Sequence, residues 1–311
     1  AALGSILIPA MKKKGYPGPF AAAVTSSSAS LALIIPPSIP MIVYAVMAQS
    51  SVVQLFVAGV VPGIIGGFLM MFAAYIYARR KNLPIEENFN LVNLRKTAKE
   101  AALAFLLPII ILGGIFGGVV TATEGAGLAV VAALIIGLIY REFDFKRLYQ
   151  AATEGAIQTA AVMLLVAASV LLGEFLTVEQ IPQKVAESII DMTQNKYAVL
   201  AILNVFLLII GFFLHSVAAI ILTVPIVMPL VNAVGIDPVH FGIIVTLNLA
   251  IGQQTPPVAS VLVTACSVAK ADIWDVTRAN IMFICVLLFL LMLVTYVPAV
   301  PMTLVEFFYR S

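Results

Sequence analysis

Apolar runs of membrane-crossing length, separated by short polar punctuation, make up almost all of this chain. From Tyr16 to Ala78 there is no Asp, Glu, Lys or Arg, and from Tyr197 to Ala269 only Asp237. A helix needs about 20 apolar residues to cross a bilayer. The pattern predicts spans near 102–119, 124–140, 155–175, 197–214, 216–233 and 281–296. A longer run over 52–78 is predicted to be interrupted at Gly59, Pro62-Gly63 and Gly66-Gly67. Two stretches are amphipathic instead: 181–195, and the second half of 82–100, which puts Arg95, Lys96 and Lys99 at headgroup level.

One unusual segment occurs twice. IPAMKKKGYPGPFAAAVTSSSASLALIIPPSIP returns as MPLVNAVGIDPVHFGIIVTLNLAIGQQTPPVAS, with Pro9 matching Pro229 and Gly15 matching Gly235. Pro17, Phe20 and Thr25 then match Pro238, Phe241 and Thr246, and Pro36-Pro37 meets Pro256-Pro257. Each copy runs apolar, then rich in Ser, Thr or Asn, then Pro-Pro, then apolar again. Two adjacent prolines free backbone carbonyls that lipid cannot satisfy, and such backbone survives in a membrane only where protein buries it or it lines a cavity. Paired interruptions in matching places point to the binding site of a secondary transporter. The expectation is an all-α integral membrane protein with inverted repeats and two re-entrant helical hairpins turning at the Pro-Pro motifs. Residues 39–48 would form the return helix of the first hairpin. The predicted division is 1–78, first repeat; 79–101, interfacial connector; 102–195, scaffold and linking spans; 196–311, second repeat. Because far more chain precedes the second copy than the first, a sizeable preceding part of the first repeat is expected.

Composition agrees: 62% of residues are hydrophobic, 10% charged, and mean hydropathy is +1.11, beyond ordinary soluble domains. The net charge of +2 gives no support to nucleic-acid binding. Cys266 and Cys285 sit in apolar runs and suggest neither disulfide nor metal site. Positive-inside reasoning puts Lys12–Lys14 and Arg79–Lys81 on one face. A re-entrant hairpin and one span between them would put them on opposite faces, so sidedness does not resolve from charge.

The candidate chemistry lies in the two polar clusters. Thr25, Ser26, Ser27, Ser28 and Ser30 precede the first break and Ser38 follows it; Thr246, Asn248, Gln253, Gln254 and Thr255 stand at the second, with Ser260 after it. Hydroxyls, amides and freed carbonyls are hard neutral oxygen donors that suit sodium, while helix N-termini favour an anionic group. With no Asp, Glu or His at either break, a proton relay there lacks a titratable carrier. Elsewhere, Thr123 is expected to cap the helix after it, with Glu124 in that helix's first turn and a substrate role for the Thr121–Glu124 turn as the alternative. His240 reads as interfacial and His215 as a hydrogen-bonded packing residue. No nucleophile with its base, phosphate loop or metal-ligand cluster is present, so an enzyme is not expected.

The strings GYPGPFAAAVTSSS, IIPPSIPMIVYA, SVVQLFVAGVVPG followed by ARRK, TATEGAG and IGQQTPPVAS resemble the large membrane subunit of tripartite ATP-independent periplasmic transporters, in the family's order over essentially the whole chain. The resemblance implies a sodium-coupled elevator transporter of the bacterial inner membrane that imports a carboxylate such as a C4-dicarboxylate, sialic acid or another sugar acid. It also implies two partners: a small membrane subunit of DctQ type and a periplasmic binding protein of DctP type. Sodium would be held by Ser26, Ser27, Ser28 and Pro36 at one break, and by Thr246, Asn248, Gly252 and Thr255 at the other. Substrate would meet Ser28, Ser30, Pro37, Ser38, Gln253, Thr255 and Thr123. The chain departs from the family in having Ala32-Leu33 where Gly-Pro is usual, and His215 where an acidic residue often stands. A stand-alone divalent-anion/sodium symporter needing no binding protein has the same paired pattern and stays open as the alternative.

Overall fold

Proline and glycine punctuation decides where each apolar run becomes a helix and where it stops. The computed structural model describes residues 2–84, 91–141, 144–256 and 258–309, in which every regular element is helical. Seven helical stretches among these residues are long and apolar enough to cross a membrane, one of them the interrupted stretch Gly18–Met47. The chain forms two compact units: Ala1–Pro84 with Val166–Ser311, and Ile85–Leu165.

The first unit carries both copies of the repeat. In the first copy α1 (Ala2–Lys13), α2 (Gly18–Leu31), a 3-10 turn (Ala32–Ile34), α3 (Ile39–Met47) and α4 (Val52–Arg80) follow in order. In the second copy α10 (Ser216–Ala233), α11 (Pro238–Gly252), α12 (Ser260–Ala269) and α13 (Ile273–Tyr296) take the corresponding places. α1 and α10 end in turns where Gly15 and Gly235 have φ of 86° and 68°, a region glycine enters without steric cost. Asp237 then starts α11, its carboxylate accepting from Val239 N (2.8 Å) and His240 N (3.2 Å).

Contacts at the two ends of this unit fix the course of the broken helices. At one end Phe20 stacks on Tyr77 at 4.2 Å between centroids, Tyr16 Oη donates to Pro84 O (3.3 Å) and Lys12 Nζ donates to Ala269 O (2.8 Å). The start of α2 and the ends of α1, α4 and α12 therefore meet there. At the other end Tyr44 Oη donates to Pro238 O (2.7 Å) and His240 Nε2 lies 2.8 Å from Val294 O, joining the end of α3, the start of α11 and the end of α13. So α2 and α3 run end to end as one interrupted span, and α11 and α12 run as another in the opposite sense. Each pair has enough helix for a crossing: 14 and 9 residues, and 15 and 10. At about 1.5 Å per residue that is roughly 35 Å, against a core of about 30 Å.

This corrects the expected hairpins. The two copies turn back at Gly15 and Gly235 instead; the Pro-Pro motif of the first copy interrupts a span and does not reverse it. Proline stops the helix because it cannot donate an N–H, but neighbouring helices decide whether the chain then turns back. α2 packs on α1, α12 and α13, not on α3. The conflict over charge disappears with it, since Lys12–Lys14 and Arg79–Lys81 now lie at the same end.

The re-entrant element is elsewhere. α9 (Lys196–Phe213) packs along α11 in parallel, with Asn204 bonded to Asn248 and Gly211 against Gly252. α10 then leads back from Leu214-His215-Ser216 to Gly235. The pair α9–α10 enters and leaves by one end, and its tip is level with the break after Gly252. The amphipathic helix α8 (Ile181–Met192) packs on α10.

Other differences have local causes. α4 is continuous because its glycines serve close packing, not bending: a Cβ on Gly59 would lie 2.3 Å from Ile34 O, and one on Gly63 2.8 Å from the Ile35 side chain. α13 begins at Ile273, capped by Asp272, so the polar turn there is shorter than predicted. α14 (Ala299–Tyr309), too short to stand out as a span, packs along α4. His240 is buried within the unit, held by Val294 O, not interfacial.

The second unit contains α5 (Leu91–Phe116) packed on α6 (Ala122–Ile139), and α7 (Phe145–Val178) begins in it. α5 joins the amphipathic stretch and the following span in one helix, and α7 starts inside the expected polar connector. The cap of α6 is Thr121, two residues before the expected Thr123. Thr121 Oγ accepts from Glu124 N (3.3 Å), and Glu124 Oε2 accepts from Thr121 N (2.8 Å), a reciprocal capping box.

Candidate ion and substrate site at the helix breaks

The two interrupted spans meet through polar side chains in an otherwise apolar interior. Burial of an amide or hydroxyl is costly without a partner. Around the first break each such group has one. Ser27 Oγ donates to Asn280 Oδ1 on α13, and Asn280 Nδ2 donates to Gln254 Oε1 (3.0 Å). Gln254 Nε2 in turn donates to Ser30 Oγ and to Ser26 O (2.7 Å). Ser26, Ser27, Ser30, Gln254 and Asn280 are all buried. This network fastens the polar face of α2 to the residue that follows α11 by two positions, so it joins the two copies directly.

Around the second break the network is incomplete. Asn248 Nδ2 donates to Asn204 Oδ1 (2.7 Å) and to Ile244 O (2.8 Å), and Asn204 Nδ2 donates to Thr295 Oγ1 (3.1 Å). The carbonyl oxygen Asn248 Oδ1 is buried and has no hydrogen-bond partner. An orphaned buried acceptor costs about 1–3 kcal/mol. A small cation is a partner that a neutral oxygen can take there.

The remaining expected site residues divide by environment. Thr246 is fully buried and bonds back to Gly242 O (2.8 Å); Thr255, half-buried, bonds back to Ile251 O (3.1 Å). Each hydroxyl donor is thereby spent within its helix while its lone pairs stay free. Ser38 caps α3, accepting from Met41 N (3.5 Å) and donating to Leu33 O (2.5 Å). Gln253 is buried, its amide 3.5 Å from Leu249 O. Pro36 is buried and Pro37 exposed, Ser28 is exposed on the outer side of α2, and Pro257 lies outside the described residues. Gly252 touches Gly211 so closely that a Cβ would lie 2.4 Å from the Gly211 carbonyl carbon. Thr123 belongs to the second unit, exposed in the first turn of α6.

Four participants were missed by sequence reasoning: Asn204, Asn280, Thr295 and Ser216. The signal was there for the first two, single amides in apolar spans, which are kept in a membrane only with a partner or a task. Ser216 opens α10 at the re-entrant tip; it is fully buried, and its hydroxyl has no partner. His215 beside it is exposed and makes no side-chain cap, unlike the packing role expected of it.

Among the described residues, the chemistry available at the breaks is therefore that of neutral oxygen ligands and helix termini.

Residues 1–300 match the family described as Tripartite ATP-independent periplasmic transporter, DctM component. The isethionate TRAP transporter permease protein DctMQ of Oleidesulfovibrio alaskensis is 41% identical over 97% of this chain and 48% of its own length. The C4-dicarboxylate TRAP transporter large permease protein DctM of Pseudomonas aeruginosa is 38% identical, over 98% of this chain and 71% of its own length. The sialic acid TRAP transporter large permease protein SiaM of Vibrio cholerae is 33% identical, over 98% and 72%. The chain thus spans about half the length of the first relative and about seven tenths of the other two. These relatives are transport permeases, not enzymes. With its interrupted, oppositely directed spans and a match over nearly its whole length, the chain belongs to the DctM family, the large permease component of TRAP transporters.

Proposed function

We propose that the full-length protein is a sodium-coupled importer of a small organic acid, and that sodium binds at the two helix breaks. One observation carries the reading: Asn248 Oδ1 is a buried carbonyl oxygen without a partner, beside the interrupted end of α11. Neutral oxygens fit sodium, a weakly polarising ion that needs several hard donors and no deprotonated ligand. Asn248, Thr246, Gly252 and Thr255 would hold one ion at the second break. At the first, Ser26 and Ser27 with Pro36 would hold another, the Ser26 hydroxyl donating to Ala23 O and the Ser27 hydroxyl to Asn280 Oδ1 while their lone pairs face the ion; Ser28, exposed on the outer side of α2, would not take part. Substrate would approach Ser28, Ser30, Pro37, Ser38, Gln253 and Thr255.

The substrate class follows the relatives, whose names cover isethionate, C4-dicarboxylates, sialic acid and, in a Ruegeria pomeroyi protein 34% identical to this chain, ectoine. We assign a periplasmic binding protein of DctP type as the supplier and a DctQ-type small membrane subunit as the partner. The DctMQ name of the isethionate relative fits the second assignment. The bacterial inner membrane is the place for such a protein. Its basic end, with Lys12–Lys14 and Arg79–Lys81, faces the cytoplasm by the positive-inside rule, so the α9–α10 tip is reached from the periplasmic side. Transport by an elevator would move the two repeats, 1–78 and 196–311, as one body against the spans of 102–195, with 79–101 as the connector.

Thermal melting of the purified full-length permease in sodium against choline, at matched ionic strength, tests the ion assignment. A ligand present at 100 times its Kd stabilises by about 2.7 kcal/mol. Sodium should raise Tm in wild type, and Asn248→Ala should lose most of that rise. An equal rise in choline, or an unaltered one in Asn248→Ala, would remove the assignment.

A further inference from the structure

Three buried side chains from three helices form a hydrogen-bonded chain with a fixed sense: Thr295 of α13, Asn204 of α9 and Asn248 of α11. Asn204 Nδ2 donates to Thr295 Oγ1 (3.1 Å), and Asn204 Oδ1 accepts from Asn248 Nδ2 (2.7 Å). The other hydrogen of Asn248 Nδ2 goes to Ile244 O (2.8 Å). Both donor positions of Asn248 are thereby used, and Oδ1 is left without a partner. The two ends of an amide side chain are alike in size, so packing does not decide which of them faces an ion; hydrogen bonds do. Ile244 O can only accept, and this sets the sense of the whole chain. Reversed, Asn248 Oδ1 would face Ile244 O, and its NH2 group would stand where a cation is to bind.

We infer that Asn204 is a positioning residue for sodium: it holds the Asn248 amide with its oxygen toward the ion and makes that oxygen a better ligand. The inference rests on the ion reading above and deepens it by naming what prepares the ligand. With Ile244 O alone, Asn248 keeps one unpaired N–H in the interior, and the amide swings to relieve it. Asn204 takes that hydrogen and removes the reason to swing. Each hydrogen bond donated by Nδ2 also draws charge toward Oδ1, a cooperative strengthening of about 10–30% per bond. Thr295 anchors Asn204 in turn, so a ligand carried by α11 is set by the positions of α9 and α13. The helices come near enough for this because Gly211 has no side chain: a Cβ there would lie 3.4 Å from Leu249 Cα. Outer partners of this kind, which touch a metal ligand and not the metal, are typically worth about 10–100-fold in metal affinity.

The test follows melting of the full-length permease as sodium replaces choline at constant ionic strength. The half-saturating sodium concentration is then read separately from Tm in choline. Wild type should respond to sodium, and Asn248→Ala should lose most of the response. Asn204→Leu, close to asparagine in size, should raise the half-saturating concentration about tenfold, the lower end of the range for such partners. It should also melt lower in choline, because Asn248 Nδ2 loses an acceptor and Thr295 Oγ1 a donor. A merely structural role would give that second loss and leave the sodium concentration unmoved. Asn204→Asp keeps an oxygen to accept from Asn248 Nδ2, and the Thr295 hydroxyl can donate to it, so the concentration should return toward the wild-type value. Thr295→Val should raise it by less than Asn204→Leu and should add nothing in the Asn204→Leu background, because it acts through Asn204. An unmoved concentration in Asn204→Leu, or in Thr295→Val should the first variant not fold, overturns the assignment. So does an Asn204→Asp protein that binds sodium as weakly as Asn204→Leu, or an additive shift in the double variant. A wild type that melts alike in sodium and choline, or an Asn248→Ala protein that responds like wild type, removes the ion reading itself and this inference with it.

Discussion

Gly252→Ala should be among the most disruptive single-methyl changes this protein can take. The new Cβ would lie 2.4 Å from the Gly211 carbonyl carbon and 2.6 Å from its Cα and O, all backbone atoms that no rotamer change can move. Ordinary carbon contacts are about 3.5–4.0 Å, so α9 and α11 must separate by roughly 1 Å. The Asn248–Asn204 bond, 2.7 Å between the same two helices, then stretches beyond hydrogen-bond range. Overpacking costs about 1–3 kcal/mol and the lost bond between buried amides about 1 more, for a total near 2–4 kcal/mol. Thermal melting in detergent, read without sodium, measures it. Gly67→Ala in α4 is the control, because nothing lies within 4 Å of its Cβ position and alanine gains up to about 1 kcal/mol in a helix interior. Gly211→Ala should fall between them, its nearest neighbour being Gly252 Cα at 3.2 Å. If Gly252→Ala melts with Gly67→Ala instead of several degrees below it, the helices are not in backbone contact and the level of the re-entrant tip is wrong.

Two further substitutions separate structural from transport roles. Gln254→Leu takes the acceptor from Asn280 Nδ2 and the donor from Ser30 Oγ in the interior and should cost about 2–4 kcal/mol. Gln254→Leu with Asn280→Leu should recover part of that, a coupling that a double-mutant cycle on Tm measures. Glu124→Gln should leave sodium-driven uptake within about twofold of wild type, because glutamine keeps the capping box with Thr121. A large loss of uptake there would give Glu124 a part in coupling.

Much of this architecture is legible in the sequence, and the largest departure from it has a non-local cause. The repeat, the glycine turns at Gly15 and Gly235, the caps and the interruption at Pro36-Pro37 are local, set by which residues donate a backbone N–H or accept a positive φ. Whether the chain turns back after a proline pair is not local. The environment of α2, packed on α12 and α13 from the other copy, carries the first break on to α3, and nothing within residues 31–39 encodes that. The α9–α10 tip was hidden for the converse reason. Leu214-His215-Ser216 contains no proline or glycine, and two 18-residue apolar runs on either side look like two spans. Long-range polar partners are equally invisible to periodicity: Asn280 lies 253 positions from Ser27, and His240 lies 54 from Val294. Within the serine cluster Ser28 faces outward while Ser27 and Ser30 face the network, because a helix presents only some of four consecutive positions to one partner.

Substrate uptake into proteoliposomes holding the full-length permease with its small subunit tests the central claim most directly. A sodium gradient and then a proton gradient would be imposed, each with and without the periplasmic binding protein and with Asn248→Ala beside wild type. The account predicts uptake of an organic acid that needs both sodium and the binding protein and is lost in Asn248→Ala. Uptake driven by protons alone, or sodium-driven uptake that survives in Asn248→Ala, would contradict it.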